Sequence, residues 1–74
     1  MQNLQMTITD RVPQTDLFAE YSLGMKVQSL VDYLWVNHKI ESHAEAYNRI
    51  VFETRNDFNL ASLIISGFDD VKIA

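Results

Sequence analysis

Residues 24–58 constrain the fold of this chain most, because their apolar side chains recur with helical spacing on either side of a short polar turn. In the first half, apolar residues occupy positions i, i+3, i+4 and i+7, which predicts a helix over residues 25–37 with one apolar face. These positions are Val27, Leu30, Val31 and Leu34. Directly upstream, residues 17–23 alternate between apolar and polar, which predicts a short strand. A strand–helix–helix unit this small cannot bury its own apolar faces.

A second helix is predicted over residues 43–55, after a turn at residues 38–41. Its start carries the pattern of a capping box, in which Ser42 accepts from the amide of Glu45 and the Glu45 carboxylate reaches back. Glu45 and Arg49 are four residues apart and are expected to pair. The apolar face of this helix is formed by Ala46, Tyr47, Ile50, Val51 and Thr54.

The composition indicates one small domain that lacks covalent cross-links. The chain has 74 residues and no cysteine, which excludes disulfides and thiolate metal sites. We see neither a secretory signal nor an apolar run long enough to span a membrane, so a cytoplasmic protein is expected. The net charge is −4, the opposite of what phosphate binding favours. Residues 17–55, however, carry four Lys or Arg against five Asp or Glu, which is near neutral.

The segments on either side of the central unit leave alternatives open. Residues 1–16 form either an arm or an extra strand, since residues 4–9 alternate and could pair with 17–23 across a turn at 13–16. Residues 59–74 form a C-terminal extension, with Gly67 where a left-handed helix cap is expected and residues 69–74 as a short strand or frayed end. The apolar residues of 58–68 could pack on the core, build a tetramer or bind another protein.

The central unit resembles the ribbon–helix–helix superfamily of the Arc repressor type over residues 17–58. The run 42–50 is similar to the opening of that family's second helix, and the run 30–34 to its first helix. The resemblance implies a mainly α fold in which two chains intertwine as a homodimer and pair one short strand each into a ribbon. The implied dimer core consists of Tyr21, Leu23, Val27, Leu30, Val31, Leu34, Tyr47, Ile50 and Val51.

The resemblance also implies how DNA would be bound. The ribbon would enter the major groove, and the start of the second helix would hold a backbone phosphate. The outward ribbon residues would be Phe18, Glu20 and Ser22. The phosphate contacts would come from Ser42 and His43, with Lys39 beside them.

The resemblance implies a sequence-specific DNA-binding regulator: a repressor, a phage or plasmid regulator, a relaxosome accessory protein, or an antitoxin that binds its toxin through residues 58–68. The alternative is an acidic protein-binding module or phage-type inhibitor without DNA contacts, which the net charge and Glu20 favour. A third possibility is a monomeric domain with a β-hairpin. We predict no enzyme and no cofactor, because nucleophile–base pairs and glycine-rich loops are missing from the sequence. His38 and His43 alone do not make a metal site.

Overall fold

The computed structural model describes residues 4–13 and 15–74, which form two helices and a four-stranded sheet. In chain order the elements are β1 (Gln5–Asp10), α1 (Ala19–His38), β2 (Ser42–Ala46), β3 (Arg49–Phe52), α2 (Arg55–Ile65) and β4 (Val71–Ile73). The strands lie in the order β2-β3-β1-β4, and each pairs antiparallel with its neighbour.

The connections follow a split β-α-β pattern. Strands β1 and β2 are both antiparallel to β3, which lies between them, so they run parallel to each other and α1 joins them. In the same way, α2 joins β3 to β4 across β1. This β-α-β-β-α-β order is the ferredoxin-like motif. A motif shared by many unrelated activities does not itself indicate a function.

The core lies between one face of the sheet and the two helices. Met6 and Ile8 of β1 are buried, whereas Thr7 between them is exposed, as expected for a strand with one covered face. Met6 pairs directly with Ile50, which places both side chains on that covered face. The helices and the remaining strands complete the core with Leu23, Val27, Leu30, Val31, Leu34, Phe52, Ala61, Ile65 and Val71. One chain therefore closes its own core.

Local signals define the ends of the helices. Lys39 adopts a left-handed conformation with φ 56°, which ends α1 and turns the chain toward β2. The amides of Lys39 and Ile40 donate to the carbonyls of Trp35 and Leu34 at 3.0 and 3.1 Å, and the Ile40 side chain is buried. At the start of α2, Thr54 Oγ1 accepts from the amide of Asp57 at 3.1 Å, a side-chain N-cap.

The expected mainly α, ribbon–helix–helix fold is wrong. Residues 17–23 do not form a strand, because α1 begins at Ala19 and runs through Gly24. The physical reason is a turn at Asp16, whose Oδ1 accepts from the Phe18 amide at 2.9 Å and starts the helix early. The helix predicted over residues 25–37 is confirmed as the later part of α1.

The second predicted helix, over residues 43–55, is also wrong. Its residues form β2 and β3, which are joined by a tight turn at Tyr47 and Asn48. Ile50, Val51 and Phe52 are residue types that favour strands, and pairing with β1 buries alternate members of this run. Ser42 starts a strand instead of capping a helix. Glu45 and Arg49 do pair, with Nη1 3.4 Å from Oε1, but across the strand turn.

The flanking segments belong to the same sheet. The strand predicted over residues 4–9 is confirmed as β1, although it pairs with β3 and β4 and not with residues 17–23. Of the alternatives for residues 58–68, packing on the core is observed, since α2 buries Ala61 and Ile65. Gly67 is not left-handed, and residues 71–73 form β4. The turn expected at 13–16 includes Gln14, which lies outside the described residues.

Among the described residues, α1 and α2 are the helices to consider for a membrane span, and neither is long and apolar enough to cross a bilayer.

The alternation in β3 predicts unequal effects of two neighbouring substitutions. Ile50→Ala should lower the free energy of unfolding by about 2–5 kcal/mol, because it leaves a cavity in the core. Val51→Ala, on the other sheet face and half-buried, should cost about 1 kcal/mol or less. Urea unfolding followed by circular dichroism measures both. Equal losses would indicate that the two side chains share one covered face, as they would in a helix.

Gly24 offers a second test, because it lies within α1 and a helix is weakened by glycine. A Cβ at this position would lie 3.5 Å from the Tyr47 Cβ, which is ordinary van der Waals contact. Gly24→Ala should therefore stabilise the chain by about 0.5–1 kcal/mol. Thermal unfolding of this variant beside wild type measures the change. A loss of stability would show that α1 and the β2–β3 turn lie closer than described.

Candidate interaction surface

The residues predicted to contact DNA do not form one surface. Three lie at the beginning of α1, whereas Lys39 follows its last residue, and a helix of 20 residues is about 30 Å long. The three are Phe18, Glu20 and Ser22. Ser42 and His43 begin an edge strand and not a helix, so they present no free helix amides to a phosphate. The structure therefore separates the predicted reading residues from the predicted phosphate contacts.

The uncovered face of the sheet is polar. Gln5 Nε2 donates to the two carboxylate oxygens of Glu45 at 3.4 and 3.3 Å, and Arg49 Nη1 donates to Gln5 Oε1 at 3.4 Å. By strand alternation, this face presents Gln5, Thr7, Thr9, His43, Arg49, Val51 and Lys72. These described positions include no Phe, Tyr or Trp, the aromatic residues on which base stacking on a sheet mainly depends.

The largest exposed apolar side chains cluster at the start of α1. Phe18, Tyr21 and Met25 follow one another at i, i+3 and i+7, on one side of the helix, and Leu17 precedes them. Their exposed fractions are Leu17 97%, Phe18 68%, Tyr21 69% and Met25 57%. We call these four residues the α1 patch. Isolated exposed apolar residues are common, but a contiguous set of this size is typical of an interaction site.

Two sets of contacts keep the α1 patch exposed to solvent. Leu23 and Val27, on the opposite side of the helix, are buried in the core and fix the rotation of α1. At the helix start, the Asp16 carbonyl accepts from the Ala19 amide at 3.3 Å, in addition to the bond between its side chain and Phe18. The patch therefore cannot turn inward without breaking the core.

A groove continues from the α1 patch along the helix. Its volume is about 440 Å³, and it separates α1 from the segment that precedes β4. Phe68 contacts Tyr33 edge-to-face, with ring centroids 5.5 Å apart, and closes one end. The lining residues are Met25, Lys26, Ser29, Leu30, Tyr33, Phe68, Asp70 and Val71. Because Met25 belongs to both, the patch and the groove form one continuous surface.

The charges around this surface are mostly negative. Glu20 and Asp32 are exposed on α1, Asp16 precedes it, and Asp70 lines the groove. Lys26 Nζ lies 2.8 Å from the largely buried carboxylate of Asp10, so its charge is already paired. The hydrogen bond to Asp10, aided by the charges of Asp10 and Asp70, raises the pKa of Lys26 against a smaller opposing effect of burial.

The Arg11 side chain is hydrogen-bonded to the loop that follows α2. Its Nε donates to the Phe68 carbonyl at 3.0 Å, and its Nη2 to the Ser66 carbonyl at 3.3 Å. This guanidinium holds the segment that forms one wall of the groove, and so acts on the site through Phe68.

The described residues contain no cluster of three or more His, Asp or Glu side chains that could hold a metal ion. Comparison of the chain with known protein families, with curated proteins and with solved structures finds no match. None of these comparisons tests the resemblance to ribbon–helix–helix proteins. The fold described above is not the one which that resemblance implies.

Most residues predicted for a dimer core lie in the core of the single chain. Three do not: Tyr21 and Tyr47 are exposed, and Val51 is half-buried on the other face of the sheet. The α1 patch itself was missed, because residues 17–23 were interpreted as a strand. Once the segment is helical, the spacing of Phe18, Tyr21 and Met25 places them opposite Leu23 and identifies the patch.

The Lys26–Asp10 pair predicts how stability depends on pH. The raised pKa of Lys26 means that the pair stabilises the fold fully below pH 10.5, and that this stabilisation is lost as the pH rises further. The stability difference between wild type and Lys26→Met should therefore stay constant from neutral pH to 10.5, and shrink above it. Urea unfolding of both proteins across this range measures it. A difference that shrinks near neutral pH would contradict the assignment.

Proposed function

We propose that this chain is a protein-binding module that docks its α1 patch into an apolar, basic-rimmed groove on another protein. The observation that carries this proposal is the exposure of four contiguous large apolar side chains on a helix whose other face is fixed in the core. Phe, Tyr and Met are residue types enriched in the buried centres of protein interfaces. Among the functions considered from the sequence, this corresponds to the acidic binding module or inhibitor.

Charge complementarity identifies the kind of partner. The patch is flanked by Asp16 and Asp32, and the adjoining groove contains Asp70. A partner with Lys or Arg around its apolar groove would be attracted to this surface and would associate faster at low ionic strength. A second copy of this chain carries the same carboxylates, and pairing two α1 patches would bring like charges together. A different protein is therefore favoured over self-association.

The predicted DNA-binding regulator remains untested. Its reading residues Phe18, Glu20 and Ser22 were assigned to a ribbon, and in this fold they lie at the start of α1, beside the carboxylate of Asp16. Carboxylates on a contact surface repel phosphates. The geometry therefore supports protein binding better than DNA binding, and the experiment below also tests for retained DNA.

The first experiment compares three forms of the full chain on a resin: wild type, the double variant Phe18→Ala/Tyr21→Ala, and Leu63→Ala. Leu63 is the matched control, because it is an exposed apolar residue (73%) on the other helix. Lysate of the source cells is passed over all three. Proteins retained by wild type and control, but not by the double variant, are identified by mass spectrometry and then purified.

The purified partner should bind wild type and Leu63→Ala with similar affinity, and the double variant about 30-fold or more weakly, because two aromatic anchors are lost. Isothermal titration measures the affinities, and stopped-flow mixing should show association that slows as salt rises. Equal affinity for all three forms would overturn the proposal. Retention of symmetric DNA fragments that depends on Phe18 and Tyr21 would instead favour the regulator.

A further inference from the structure

We infer that the outer edge of β2, together with a pocket beside Trp35, binds an extended basic peptide segment by strand addition. This surface is separate from the α1 patch and adds a second mode of recognition to the proposed function. The inference rests on an unprotected sheet edge, an acidic aromatic pocket beside it, and a buried hydroxyl without a hydrogen-bond partner.

Strand β2 is an open edge of the sheet. It lies at the end of the order β2-β3-β1-β4, and His43, Ala44 and Glu45 are exposed. At about 3.4 Å per residue, its five residues offer roughly 17 Å of backbone for pairing. Natural edges are often protected by Lys, Pro, other charged residues or a bulge; β2 contains neither Lys nor Pro, and its irregularity and Glu45 lie in its second half. Its pairing with β3 is irregular only between Ala44 and Ala46, which leaves the first half of the strand regular.

A pocket lies where β2 begins. Its volume is about 310 Å³, and it is lined by Trp35, Ile40, Glu41, Ser42, His43 and Glu53. Ser42 Oγ is buried here and has no hydrogen-bond partner. A buried hydroxyl without a partner is costly, and because this oxygen has almost no accessible surface, a peptide group would satisfy it only by opening the pocket as it binds. We call this cavity the Trp35 pocket.

The chemistry of the Trp35 pocket suits a cationic side chain. The Trp35 ring is half exposed, and the carboxylate residues Glu41 and Glu53 line the same cavity. The ring already attracts a cation from this chain, since Lys39 Nζ lies 5.1 Å from its centroid. A Lys or Arg of the peptide would displace Lys39 from this ring, and Glu41 and Glu53 in the same cavity would favour it over a neutral side chain.

The strand register directs such a side chain to the pocket. Ser42 pairs with Phe52, which is buried on the helix-covered face of the sheet. Side chains of directly opposed strand residues lie on the same face, so a peptide residue opposite Ser42 would point to the side where α1 carries Trp35. Its neighbours along the peptide would point to the polar face, beside His43.

The occupant is a basic peptide and not a second copy of this chain. Pairing β2 with the β2 of another copy would place Glu41, Glu45 and Glu53 of both chains close together, and like charges across a strand pair destabilise it. A peptide that alternates Lys with a β-favouring residue fits this edge. Its backbone can pair with β2, and its positive charge is complementary to the carboxylates of the Trp35 pocket.

The experiment titrates the full chain with an alternating Lys–Thr peptide about as long as β2. Trp35 is the only tryptophan, so its fluorescence reports directly on the pocket. Amide spectra of the ¹⁵N-labelled chain should show saturable shifts confined to β2, the Trp35 indole and residues 40–42. An alternating Glu–Thr peptide should not bind. A Lys–Thr peptide N-methylated at every residue should not bind either, because it has no backbone N–H left on either edge to donate to β2.

Substitutions separate the pocket from nonspecific attraction. Trp35→Ala should weaken peptide binding about tenfold through loss of the cation–π contact. Val36→Ala, the matched control at the next exposed position of α1, should change it by less than about twofold. Glu53→Lys should weaken binding as Trp35→Ala does, whereas Glu20→Lys, an equal charge reversal on the other end of α1, should change it far less. Amide spectra confirm that each variant is folded.

Several results would overturn the inference. They are the absence of saturable binding at millimolar peptide, equal binding of the acidic or N-methylated peptide, and equal effects of Glu53→Lys and Glu20→Lys. Shifts in β2 that depend on protein concentration without peptide would identify a second copy as the occupant. None of these results depends on Phe18 or Tyr21, so the proposed function is tested separately.

Discussion

A single apolar sheet face, shared by three strands, holds this small chain together. Met6, Ile8, Ile50, Phe52 and Val71 all project to that face, and both helices are long enough to cover it. The chain has no disulfide to cross-link it, so the burial of this face supplies most of the driving force for folding. The rotation of α1 is fixed by the burial of core residues between Leu23 and Leu34. Apolar residues on the other side of the helix are therefore exposed to water.

The outer side of α1 therefore carries large apolar side chains that are not part of the core. One stretch of it, from Leu17 to Met25, is apolar and leads into a groove closed by Phe68. Another, at Trp35, adjoins the open edge of β2. Carboxylates lie at both, Asp70 in the groove and Glu41 and Glu53 beside Trp35. The two proposals share one feature, the recognition of basic protein surfaces, by a helix face in one case and by a strand edge in the other.

The sequence predicted the inward face of α1 correctly, and it included the strand β1 and the packing of residues 58–68 on the core among alternatives that it left open. It failed over residues 42–52, because Ile50 and Val51 satisfy a helical spacing as well as a strand alternation over so short a run. What decides between them is pairing with Met6, more than forty residues away, and no local pattern contains that contact. The α1 patch was missed for a related reason. Alternation over residues 17–23 indicates a strand until the turn at Asp16 is known.

The central position of β1 has a consequence for how the protein is made. β1 precedes both of its neighbours, β3 and β4, along the chain and therefore leaves the ribosome before either of them. Contacts between such distant segments slow folding, and both edges of β1 stay exposed while the chain grows. Until β3 and β4 have paired with β1, Met6 and Ile8 remain accessible to other nascent chains or to chaperones. Truncation before Val71 would remove β4 and leave one edge of the apolar strand β1 permanently unpaired.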